Sequence, residues 1–102
     1  MAKRRIIWSS RAKTDLFKIL DFYFKRNGTK DYSLKLSSNI RKAIKLLEIY
    51  PEIGVRTDFE NTRILIHGNY EIFYEINPRT VEITTIWDSR QNPRNLKVKL
   101  KL

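Results

Sequence analysis

The chain has no cysteine, one histidine, three glycines and three prolines among its 102 residues. Without cysteine there is no disulfide scaffold, no thiolate zinc site and no cysteine nucleophile. Three glycines cannot supply a glycine-rich loop of the kind that cradles phosphate, and a lone histidine, His67, excludes an HExxH pair. The carboxylates form no dense group at metal-ligand spacing, so neither a metal nor another cofactor is expected. Acidic residues are missing from both ends, residues 1–13 and 89–102. Long apolar runs are missing too. The one in "MAKRRIIWSSRAK" is far too short for a signal peptide or a membrane span, so the expectation is a soluble, cytoplasmic protein with no membrane partner.

What is present fits a single domain over 1–102, with 41% hydrophobic and 12% aromatic residues to build one core. The formal charge is +10 and is distributed unevenly. Lys3, Arg4, Arg5, Arg11 and Lys13 stand at one end, and Arg90, Arg94, Lys97, Lys99 and Lys101 at the other. Residues 14–88 carry eleven basic and eleven acidic groups, so the whole excess lies on the two ends. Such an imbalance favours a polyanion or an acidic protein partner.

Periodicity orders the elements. "KRRIIW" (3–8) reads as a short strand. Ser9 or Ser10 can then cap a helix running to about Arg26, with Ala12, Leu16, Ile19, Leu20 and Tyr23 as its apolar stripe. Gly28 suits the left-handed position that ends it. A second helix, from about Lys30 to Ile49, carries Leu36, Ile40, Ala43, Ile44 and Leu47 on one side and stops at Pro51. "PEIGVRTDFEN" (51–61) reads as a loop. Three strands follow: "RILIH" (63–67), "NYEIFYEI" (69–76) and "VEITTIW" (81–87). Gly68-Asn69 suits a tight hairpin, and "NPRT" (77–80) the next turn. Residues 90–102 read as a basic tail or an edge strand. The plan is α+β: an N-terminal strand, an antiparallel two-helix hairpin, then an antiparallel three-stranded meander, with the helices packed on one sheet face. In the middle strand, Tyr70, Ile72, Tyr74 and Ile76 should meet the helices, leaving Glu71 and Glu75 on the open face.

The side chains suited to binding are Arg56, Arg63, Arg79, Arg90 and Arg94, with Tyr70, Tyr74 and Trp87. Arginine grips phosphate with a forked set of donors, and rings stack on bases. Core packing accounts for Tyr70 and Tyr74, and a turn position accounts for His67. Arg63 and Arg90 stand at strand ends, where they would project from the sheet rim.

The ordered set of a tyrosine and an asparagine closing the first helix, "I…A…LL…P…G" through 40–54, "RILIHGNYEIFYEI" and "VEITTIWDSRQNP" resembles the RelE/ParE superfamily of toxins from type II toxin–antitoxin modules. The likeness spans about residues 5–93. It implies the fold just described. It also implies a cognate antitoxin as partner, in a hetero-oligomer or beside a homodimer, and either DNA gyrase or the ribosome with its messenger RNA as target. RelE-like members cut messenger RNA with cationic, tyrosine or histidine side chains on the open sheet face; ParE-like members poison gyrase and lack that set. An arginine usually follows the first tyrosine of "Y-x-I-x-Y" in RelE-like members, and here that position is Glu71. Arg90 in "DSRQ" and Arg63 do have basic counterparts. The resemblance thus makes Arg63, His67, Glu71 and Arg90 the catalytic candidates, and Arg63, Arg90, Arg94 and Lys97 the target-binding ones. A Glu71 base with Arg63, His67 and Arg90 as electrophiles would make an endoribonuclease. The more economical expectation is a ParE-like toxin with no nuclease face, whose Glu71 and Glu75 pair with cations across the strands. A nucleic-acid-binding relative without toxicity is the third possibility.

Overall fold

The computed structural model describes residues 3–90. Its elements are β1 (Arg5–Trp8), α1 (Ser10–Asn27), α2 (Asp31–Lys45), 3-10 turns at Leu46–Glu48 and Pro51–Ile53, β2 (Val55–Arg56), β3 (Thr62–His67), β4 (Tyr70–Ile76) and β5 (Thr80–Asp88). Local chemistry explains the helix boundaries. The Ser9 hydroxyl oxygen accepts from the Ala12 N–H at 3.0 Å, and its own hydrogen goes to the Thr84 carbonyl at 2.8 Å. One serine therefore caps α1 and ties it to the sheet. Gly28 closes the helix at φ +74°, a conformation that glycine takes without a Cβ penalty, and its N–H reaches the Phe24 carbonyl. Ser33 of α2 donates to the Leu20 carbonyl of α1 at 2.7 Å, which fixes the hairpin.

The strands form one five-stranded sheet in the order β1-β5-β4-β3-β2. The expected meander is its centre. β1 joins it as a parallel neighbour of β5, with Ile6 opposite Val81 and Trp8 opposite Ile83. Residues 51–61, read as a loop, contain a 3-10 turn and the short β2, which pairs antiparallel with β3. α2 also ends sooner than expected, at Lys45, and tightens into the 3-10 turn that positions Leu47 in the core. The core lies between the helices and one sheet face: Ala12, Leu16, Leu36, Ile40, Ile44 and Leu47 meet Tyr70, Ile72, Tyr74, Val81, Ile83 and Ile86. Leu20 of the α1 stripe, expected to be largely buried, is half-buried and packs against the edge of that cluster.

One irregularity shapes β5. Phe73 pairs with Thr85 but Tyr74 pairs with Ile83, so Thr84 is an extra residue and β5 bulges there. Just past the bulge, Ile86 keeps its place opposite Ile72 while its N–H turns to α1. Asp15 of α1, buried at 6% exposure, accepts that N–H at 3.1 Å and the Thr85 hydroxyl at 2.5 Å. A buried carboxylate is tolerated where donors converge on it.

Candidate functional site

The sheet register decides which candidate residues share a face. Arg63 stands opposite Tyr74 and His67 opposite Tyr70, on the side of the helices. Glu71 stands between Ile66 and Trp87, on the other side. Arg63 and His67 are therefore separated from Glu71 by the sheet itself. The Arg63 guanidinium does not project from the rim: its Nη1 donates to the Glu52 and Gly54 carbonyls at 3.0 and 2.9 Å, holding the 51–54 turn against β3. His67 is half-buried at the hairpin, next to Gly68, whose φ of +59° makes the turn.

Strand alternation leaves Glu71, Glu75 and Glu82 on the face away from the helices, with Thr62, Ile64, Ile66 and Ile7 around them. Glu75 is directly opposite Glu82. Among the described strand residues, Arg5 is the one cation that alternation puts on this face. Among the described residues, the expected cross-strand pairing of Glu71 and Glu75 with cations is not found. The ion pairs among the described residues are Asp21–Lys25 and Asp88–Arg90. Among the described strands, Glu71 stands opposite Ile66 and Trp87 and Glu75 opposite Thr62 and Glu82, with no lysine or arginine in those places.

Arg90 takes part in a different arrangement. It follows β5 and turns toward α1. Its Nε and Nη2 donate to the two Asp88 carboxylate oxygens at 2.9 and 2.7 Å, and its backbone N–H donates to Oδ1 at 2.9 Å. Nη2 also donates to the Tyr23 hydroxyl at 3.2 Å, which receives a second, longer bond of 3.4 Å from Tyr70. The electrostatics follow. The bonds from Tyr70 and Arg90 hold the Tyr23 hydroxyl below its ordinary pKa, burial pushes Tyr70 well above its own, and Arg90 holds the Asp88 carboxyl below the usual carboxylate range. This cluster forms one wall of a groove of about 380 Å³ between α1 and the sheet end, whose other residues include Lys18, Phe22 and Arg26. The apolar stripe of α1 includes Tyr23 but does not single out the other three. Their spacing of four puts Lys18, Phe22 and Arg26 on one helix face, a signal that was legible.

Because Asp88 has a lower pKa folded than unfolded, its contribution to stability is present above the ordinary carboxylate range and is lost as pH falls through it. Asp88→Asn should therefore flatten part of the acid limb: its stability deficit relative to the parent chain should shrink between about pH 6 and about pH 3 in chemical denaturation. A deficit constant across that window would mean that the Asp88–Arg90 pair contributes no pH-dependent stability.

Arg94 and Lys97, and the expected tail or edge strand, lie outside the described residues. Among those described, no group of three or more His, Asp or Glu is placed to hold a metal ion, and no helix is long and apolar enough to cross a membrane.

Residues 6–93 match the family model for the ParE toxin of the type II toxin–antitoxin system parDE. The chain belongs to that family. Within the wider RelE/ParE superfamily it is a type II toxin, and the solved structures it resembles agree in fold. The structure described as the chromosomal ParDE TA system from P. aeruginosa matches with a TM-score of 0.71 at 20% identity, covering 82% of this chain and 94% of that one. The RelBE2 toxin–antitoxin complex from Mycobacterium tuberculosis matches with a TM-score of 0.60 at 19% identity, covering 86% and 93%. No curated protein sequence matches the chain. The ParE-family match ends before Arg94, so neither Arg94 nor Lys97 falls within it.

Proposed function

We propose that this ParE-family toxin acts as a gyrase inhibitor, without cutting RNA, and is neutralised by a cognate antitoxin. The observation that carries the reading is the charge on the sheet face away from the helices. Cleaving a phosphodiester requires cations where charge develops in the transition state. This face carries Glu71, Glu75 and Glu82, while Arg63 is engaged with backbone carbonyls on the opposite side. Three carboxylates would repel the scissile phosphate, and Glu71 has neither His67 nor Arg63 on its own face to serve as acid or electrophile. The antitoxin follows from the family and from the toxin–antitoxin complexes among the structural relatives. The +10 charge makes an acidic antitoxin segment the complementary one.

Two measurements test the target. Purified toxin should block supercoiling of relaxed plasmid by gyrase, and a transcript cleavage map after induction should match the uninduced one. Ribosome-dependent cuts with gyrase unaffected would replace this reading with the nuclease. Glu71→Ala separates the two at the residue level. It should leave growth inhibition within about twofold, whereas loss of a general base lowers a rate by about 10²–10⁴-fold. Abolished toxicity in a folded Glu71→Ala protein would make Glu71 a catalyst.

A further inference from the structure

The groove between α1 and the end of the sheet is not explained by the fold or by the proposed inhibition. It presents three cations, Lys18, Arg26 and Arg90, against one carboxylate, Asp88. Lys18 and Arg26 are exposed and make no ion pair among the described residues, so their charge is available to a ligand. Arg90 is held rigid by its forked bonds to Asp88. The Tyr23 oxygen receives two hydrogen bonds, from Arg90 and Tyr70, which leaves its own O–H free to donate into the groove. Donation by neighbouring groups into a hydroxyl oxygen strengthens that hydroxyl as a donor. Between the two α1 cations stands Phe22, 55% exposed, its ring edge-on to Tyr23 with centroids 5.1 Å apart at 84°. A large apolar ring held by an aromatic neighbour and left open between two cations is a stacking platform.

We infer that this groove binds a nucleotide phosphate, with Lys18, Arg26 and the Tyr23 hydroxyl on the phosphate oxygens and the base stacked on Phe22. Cations alone would accept any polyanion, an acidic peptide included. The exposed ring between them favours a ligand that alternates phosphates with flat bases, as a nucleic acid strand does. The volume of about 380 Å³ suits one nucleotide unit rather than a long segment. The inference stands apart from the gyrase reading, since it holds or fails whatever the toxin inhibits.

The test is fluorescence anisotropy on the full chain with a labelled single-stranded oligonucleotide of about twelve nucleotides, a length within known strand-binding sites. The basic ends will bind any polyanion, so the comparison is between variants. Lys18→Ala/Arg26→Ala should weaken binding about tenfold or more. Lys42→Ala/Lys45→Ala removes the same charge from α2 and should weaken it no more than about twofold, as expected for screened distant charge. Phe22→Ala changes no charge and should weaken binding at least about fivefold, the low end for a lost base stack. All five positions are exposed and helical, and alanine is the best helix former, so the variants should fold. A labelled mononucleotide tells the sources apart. If it binds as tightly as the oligonucleotide, the ligand is a free nucleotide; if it binds much more weakly, the ligand is a strand. Equal losses from the α1 and α2 pairs would overturn the site. An unaffected Phe22→Ala, with polyglutamate displacing the probe, would overturn the nucleotide and leave an acidic peptide as the groove's ligand.

Discussion

Tyr74→Phe should destabilise the protein by roughly 2–5 kcal/mol, although it removes a single oxygen. The Tyr74 hydroxyl is buried under the 51–54 turn. It donates to the Pro51 carbonyl at 2.6 Å and accepts from the Gly54 N–H at 2.9 Å. Deleting it leaves a buried donor and a buried acceptor unpaired, each costing about 1–3 kcal/mol. Gly54→Ala should break the same contact from the other side. A Cβ there would collide with the Tyr74 hydroxyl and stand 2.8 Å from Cε1 and 2.9 Å from the Ile64 carbonyl oxygen. Because one of those neighbours is backbone, β3 would have to move. Arg63 also holds the Glu52 and Gly54 carbonyls, so the turn is clamped from β3 and β4 together. Thermal midpoints should fall by about 8 °C or more for either substitution, given about 4–8 °C per kcal/mol in a domain of this size. The double variant should cost less than the two losses added, because both remove one interaction. Losses below about 0.5 kcal/mol in both single variants would mean the turn is not anchored through Tyr74.

Asp15→Ala should cost about as much, roughly 2–5 kcal/mol, since hydrogen bonds to a charged group contribute about 1.5–3 kcal/mol each and their donors would stay buried. Thr85 and Ile86 are both buried and Asp15 accepts from each, so neither donor has solvent to turn to. Asp15→Asn keeps a carbonyl acceptor and should cost distinctly less. Adding Thr85→Val to Asp15→Ala should recover part of the loss, because an apolar pair of similar shape replaces an orphaned hydroxyl. Denaturation in urea reads all three. Equal destabilisation by Asp15→Asn and Asp15→Ala would show that the carboxylate acts through its charge rather than as a bridge from α1 to the bulge.

These anchors mark the limit of what the sequence makes legible. Both helices, a serine cap at Ser9 or Ser10, the Gly28 stop and the Gly68 hairpin follow from signals a few residues long. A serine oxygen reaches the first turn of its own helix, and glycine takes the positive φ of a helix stop or a tight hairpin without a Cβ penalty. The apolar stripes follow from the helical period, and the +10 excess at the two ends from counting. Arg63 was readable as a basic residue at a strand end, but not as a clamp on the Glu52 and Gly54 carbonyls, which depends on how residues 51–54 fold back.

By itself, then, the sequence determined the order of elements, their apolar faces, the basic ends and the kinship with a toxin family. The tertiary structure alone decided which residues meet. The parallel seat of β1 beside β5, the carboxylate bridge from Asp15 to Thr85 and the bond from Arg90 to Tyr23 join positions about seventy residues apart, and the bulge at Thr84 answers to that packing rather than to a local signal. It also set Glu71 on one side of the sheet and Arg63 and His67 on the other. The physical reason is that strand register is chosen by burial of the whole core. A shift of one residue would exchange the two faces, and no local stretch of chain carries enough energy to choose between them.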